Sequence, residues 1–122
     1  MTFTTIEKGA LRYIFCPASD APLSAPGDVL DLIGACFSAG AHFALLECDA
    51  LGEGFYRLGT GLAGEYMQKL GNYRIVTAVI LPAQRKIQGK FNDMRAENNR
   101  CNAFRFVEDA QEAEKWFESL RT

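Results

Sequence analysis

The chain has one histidine, one tryptophan and four prolines in 122 residues, and each shortage excludes something. With His42 as the sole imidazole, any Ser–His–Asp or Cys–His set must use that one position, and no activated serine stands near it in sequence. A structural or exposed histidine is the expectation there. Cys16, Cys36, Cys48 and Cys101 are widely scattered, with no C-x-x-C and no second histidine, so the usual zinc spacings are missing. No apolar run approaches the ~20 residues needed to cross a bilayer. The opening Met-Thr-Phe-Thr-Thr-Ile-Glu-Lys lacks the basic and apolar regions of an export signal. Thirteen basic against fifteen acidic residues leave a net charge of -2, without the clustered basic excess that nucleic acid or anionic lipid requires. The expectation is a soluble cytoplasmic protein with reduced thiols, no metal, no cofactor, no nucleic-acid partner and no membrane association.

What the chain does have is apolar content: 48% hydrophobic residues, enough to bury a real core in a single domain covering 1–122. Two short strands are expected at 3–7 and 11–15, joined by a turn at Lys8-Gly9. A proline-rich loop over 16–27 leads to a helix at 28–38, with Leu30, Ile33, Cys36 and Phe37 as its apolar stripe and Gly40 as its stop. The run 43–48 reads as a buried strand. A second helix over 60–70 places Leu62, Ala63, Tyr66, Met67 and Leu70 on one face. A strand at 75–81, a weaker helix ending near Asn98, a strand at 104–107 and a final helix headed by Asp109 complete the order. Ala110, Ala113, Trp116, Phe117 and Leu120 line the inner side of that last helix. The series β-β-α-β-α-β-α-β-α predicts an α/β fold: a single-layer, mixed, mostly parallel five-stranded sheet with helices packed on it.

Gly59-Thr60-Gly61-Leu62-Ala63-Gly64 spells G-x-G-x-x-G, but a dinucleotide site needs that string directly after a strand, with an acidic residue about 20 positions later. Both conditions fail. What remains is a helix N-terminus at Thr60, whose unpaired N–H groups favour an anion, or which Thr60 simply caps. Glu65 and Lys69 have the spacing of a helix ion pair. Glu97-Asn98-Asn99-Arg100 could hold a carboxylate or phosphate, or form an ordinary helix end and turn. Chain direction separates these groups. Glu47, Asp49, Arg57, Thr60, Gly61 and Gly64 belong to the C-terminal rim of the strands, the usual ligand side of an open α/β sheet. Glu65, Lys69, Asn72, Tyr73, Glu97, Asn99 and Arg100 are assigned to a second rim, as a structural or contact network.

Residues 55–73, FYRLGTGLAGEYMQKLGNY, carry Thr60-Gly61-x-Ala63-Gly64-Glu65, then Gln68-Lys69 and Asn72-Tyr73. With the later Glu97-x-Asn99-Arg100 and Glu112-Ala113-Glu114-Lys115-Trp116, this resembles the bacterial domain-of-unknown-function family 4180 over almost the whole chain. The resemblance implies a basic residue at 59, a small one at 98 and glycine at 101, where this chain has Gly59, Asn98 and Cys101. The strand–helix order is similar to SpoIIAA-like or STAS regulatory domains, which implies a signalling or ligand-sensing role by analogy of fold alone. The expected function is a non-enzymatic binding or regulatory module that forms a homodimer or docks a protein partner. It would also sense a small anionic ligand through Arg57, Thr60 and Gly61. The alternative is an enzyme acting on a small phosphorylated or carboxylated metabolite, with Glu47 or Glu65 as general base.

Overall fold

A computed structural model describes residues 3–19, 21–57, 60–82 and 103–121. Strands β1 (Thr4–Lys8) and β2 (Leu11–Cys16) form an antiparallel hairpin that turns through Gly9 at φ 61°. Strands β3 (Phe43–Glu47), β4 (Val76–Ile80) and β5 (Phe104–Val107) follow, β3 parallel to β2 and each later strand parallel to the one before it. Helix α1 (Val29–Ala39) links β2 to β3, α2 (Leu62–Asn72) links β3 to β4, and α3 (Ala110–Leu120) follows β5. The expected α/β class and mostly parallel five-stranded sheet are present, with three helices among the described residues. The helix expected to end near Asn98 lies outside them, as do Glu97, Asn99, Arg100, Gly59 and Cys101.

The spatial order of the strands is their chain order, β1 to β5. Crossovers of one hand that advance by one strand each place their helices on the same side of the sheet. Accordingly α1 and α2 share one core with Ile14, Ala44, Leu46, Val79 and Phe106. Residues of opposite parity along the same strands, Leu11, Tyr13, Leu45, Ala78 and Val107, pack with Ala113, Trp116 and Phe117 of α3 on the other side. The period-two alternation of a strand thus feeds two cores. Strands buried on both sides read as continuous apolar runs, which is why Phe43–Glu47 and Val76–Ile80 stood out in the sequence.

Helix boundaries follow local chemistry. A 3-10 turn at Pro26–Asp28 precedes α1, and the Asp28 carboxylate accepts from the Ser24 and Ala25 N–H groups at 3.0 and 2.9 Å. At the other end Gly40 adopts φ 65°, allowing Ala41 N–H to reach the Cys36 carbonyl at 2.9 Å. Helix α2 begins at Leu62 rather than 60, because Gly61 at φ 70° still belongs to the entry turn. In α3 the Asp109 carboxylate accepts from Glu112 N–H at 2.9 Å, and the Glu112 carboxylate accepts from Glu108 N–H at 2.8 Å. The proline-rich stretch is more than a surface loop. Leu23 is fully buried and bridges Leu51, with Leu23 N–H donating to Ala50 C=O at 2.8 Å.

Candidate functional site

The Thr60 rim is built from the end of β3 and two 3-10 turns, Cys48–Ala50 and Glu53–Tyr56, that carry the chain to α2. Every expected ligand group among its described polar side chains has a local occupation. The Thr60 hydroxyl lies 2.7 Å from the Gly54 carbonyl and 2.9 Å from that of Arg57, and it accepts from Leu62 N–H at 3.1 Å. A single hydroxyl proton serves those two carbonyls, so Thr60 ties the turn to the helix. Arg57 points into solvent, 3.5 Å from a still more exposed Glu53. The Glu47 carboxylate accepts from Ala18 N–H at 3.0 Å, securing the loop after β2. Glycines 61 and 64 have open space where a Cβ would stand. Among the described strands the spatial order never reverses, so they form no switch point of the kind at which open α/β sheets hold a ligand.

Of the residues assigned to the second rim, the described ones separate. Glu65 is in the first turn of α2 and meets Lys69 at 3.5 Å, as their spacing predicts, so this pair lies along the helix rather than at its far end. The Lys69 ammonium also donates to the Pro26 carbonyl at 3.4 Å, and the Tyr66 hydroxyl donates to the Ala25 carbonyl at 2.5 Å. Together they fix the entry of α1 against α2. Burial pushes the Tyr66 hydroxyl pKa well above its ordinary value, assisted by the nearby Asp28 and Glu65 charges. Asn72 and Tyr73 do stand at the end of α2, where Arg74 takes the left-handed conformation at φ 58°.

The main correction concerns α1. Its buried residues are Val29, Leu32, Ile33 and Cys36, whereas Leu30 and Phe37, expected in the buried stripe, are 49% and 58% exposed. Four apolar positions were legible as a stripe in more than one rotation, and Leu32 decides the rotation by packing inward. The outer surface of α1 consequently carries Leu30, Gly34 and Phe37 together with the polar Asp31 and Ser38. Phe37 meets Tyr73, itself 47% exposed, edge-on with ring centroids 5.6 Å apart. Within α1 the only charge is Asp31. Large apolar side chains on a helix are normally turned toward a packed neighbour. Here the sheet covers one side and solvent meets the other.

A third locus, at the hairpin turn, escaped sequence reasoning. Tyr13 on β2 donates its hydroxyl to the Glu114 carboxylate of α3 at 2.6 Å, and the Lys8 ammonium is 3.0 Å from the same carboxylate. The Tyr13 bond, with a smaller contribution from Lys8, holds the Glu114 carboxyl below the usual range, while burial first and Glu114 second drive the Tyr13 hydroxyl up. An open groove of about 560 Å³ runs beside this cluster, lined by Leu11, Gln111 and Lys115 among others. A second, of about 420 Å³, includes His42 and Arg121. No local signal announces such a cluster, because its members come from opposite ends of the chain. Among the described residues no group of three or more His, Cys, Asp or Glu side chains could hold a metal ion. No helix there is long and apolar enough to cross a membrane.

Comparisons with curated proteins and with solved structures each gave no match. The family model described as a domain of unknown function, DUF4180, matches residues 8–117. That span runs from the hairpin turn into α3 and includes the Thr60-Gly61-x-Ala63-Gly64-Glu65 segment; the chain belongs to the domain-of-unknown-function family 4180.

Proposed function

We propose that this protein is a non-enzymatic binding or regulatory module that works by associating with protein, through the outer surface of α1 and the adjoining Tyr73. One observation carries the reading: three large apolar side chains, Leu30, Phe37 and Tyr73, stand about half exposed in one neighbourhood of a helix whose other side is fully packed. Large exposed apolar side chains gathered on one helix are a feature of interaction sites. Two further points support it. Among the described residues the carboxyls whose acidity is shifted, Asp28 and Glu114, are both held below the usual range, the direction opposite to that of a general acid. The Thr60 side chain, expected to help sense a small anion, is engaged in its own turn, which favours a protein over a small ligand as the binding partner. The likeness of strand–helix order to SpoIIAA-like and STAS domains points toward regulation at the level of fold analogy. Buried thiols at Cys16 and Cys36 accord with residence in a reducing bacterial cytoplasm.

The test pairs two assays. In the first, small phosphates and carboxylates are screened for a rise in melting temperature, since a ligand that binds the native state alone raises it. In the second, the wild-type chain and a Phe37→Asp variant are compared for association with protein. The docking reading expects no stabilising metabolite and an association that Phe37→Asp abolishes. A metabolite whose stabilising effect disappears in Arg57→Ala would move the function to the Thr60 rim and end this proposal.

A further inference from the structure

Resting on the docking reading, we infer that the partner is a second copy of this chain, packed α1 against α1 in antiparallel fashion about a two-fold axis passing near Gly34. Gly34 is exposed in the middle of the helix, and a Cβ added there would meet nothing within 4 Å. A mid-helix glycine is less favourable than alanine, and the folded chain supplies no steric reason for it. An approaching backbone does. Gly64 and Gly71 of α2 have the same open space, but no exposed large apolar residue lies three or four positions from either. Gly34 has Leu30 four positions before it and Phe37 three positions after.

That arrangement complements itself. Turned through the two-fold, Leu30 of one copy faces Phe37 of the other, and the exchange repeats on the far side of the axis, as an isologous interface requires. Charge selects the antiparallel orientation. The N-terminal end of α1 carries Asp28 and Asp31. Its C-terminal end has Arg12, whose guanidinium donates to the Ala39 carbonyl at 2.9 Å and contacts Glu7 at 2.6 Å, and Arg74 follows Tyr73 nearby. Glu7 offsets Arg12 at that end and Lys69, on the Pro26 carbonyl, offsets part of the acidic charge at the other, so the preference rests on Asp31 and Arg74, which antiparallel pairing brings to the same end of the pair and parallel pairing keeps apart. The exposed portions of three large side chains amount to roughly 300 Å² of apolar surface per copy. That is well under the ~800 Å² per partner of a standard interface, so the dimer is weak and concentration-dependent.

Sedimentation equilibrium from micromolar to millimolar protein tests this, at low and high salt. The expected result is a reversible monomer–dimer equilibrium that weakens with salt. Phe37→Asp and Gly34→Arg, both at exposed positions, should each weaken it by tenfold or more while leaving the far-UV circular dichroism unchanged. Gly34→Ala provides the sharper readout: it should raise the melting temperature of dilute, monomeric protein yet weaken dimerisation, two shifts of opposite sign. A wild-type chain that stays monomeric throughout, or a dimer indifferent to Gly34→Arg and Phe37→Asp, overturns the inference. If the monomeric chain still binds another protein in a manner lost with Phe37→Asp, the second-copy inference falls and the docking reading stands. If no Phe37-dependent association of any kind is found, both fall.

Discussion

Tyr13 and Glu114 stand 101 positions apart in the chain, yet their side chains share the shortest bond between α3 and the sheet among those described, at 2.6 Å. Because a hydrogen bond to a charged group is worth about 1.5–3 kcal/mol, Tyr13→Phe should cost roughly that amount in a denaturant titration at neutral pH. The sign with pH follows from Glu114. Its native pKa lies below its unfolded one, so the ionised carboxylate stabilises the fold above the unfolded pKa, and this contribution is lost as pH falls through the native value. The stability gap between wild type and Glu114→Gln should therefore be full at neutral pH and close in acid. A gap that stays constant with pH would show that the ionised form is not what matters. Thiols give a second check at this scale. Cys16 and Cys36 are almost wholly buried, and burial pushes both up to about 11. Neither should be alkylated by iodoacetamide in the native protein at pH 8, and both should label on unfolding, as read by peptide mass spectrometry.

At the scale of elements, the helix ends decide how the chain is directed. Gly40 holds φ 65° and lets Ala41 close α1 onto the Cys36 carbonyl. Gly40→Ala places a Cβ in the left-handed region and should destabilise by about 1–2 kcal/mol. Gly40→Asn should lose less, and equal losses in the two variants would argue against a conformational cause. Thr60 is the corresponding device at the start of α2. Removing its hydroxyl with Thr60→Ala should lower stability by ~1 kcal/mol while Thr60→Ser retains most of it, measured by thermal unfolding. Helix positions were mostly legible, since Gly40, Asp109 and the apolar spacing of α2 and α3 are local signals. The rotation of α1 was not. Leu30, Leu32, Ile33 and Phe37 allow more than one inward face, and only contact with the sheet chooses among them.

For the molecule as a whole, one sheet serves two cores. Phe55 and Phe117 are each fully buried on opposite sides of it, the first among α2 and β5 residues and the second beneath β2 and β3. Phe55→Ala and Phe117→Ala should each cost about 3–5 kcal/mol. Since β2, β3 and β4 contribute to both sides, the two losses should appear in one cooperative transition. Trp116 fluorescence, reporting the α3 side, should coincide with far-UV circular dichroism, which reports the whole. Two separated transitions would mean that the faces unfold independently. The ends of the sheet matter to function in a different way. Chain-ordered strands keep the fold simple, and the described strands offer no reversal of order at which a crevice would open.

Period-two and helical spacing in the sequence determined the order of the described elements, the mostly parallel sheet and most of the core, because each of those signals is carried by neighbours a few positions apart. Tertiary structure alone decided which residues of α1 face outward, that Leu23 closes the core from within a proline-rich stretch, and that Lys8, Tyr13 and Glu114 converge. The division has a physical cause. Local propensity fixes the conformation of a segment, whereas its rotation about its own axis and its distant neighbours are set by which packing buries the most apolar surface, and that depends on every other segment at once.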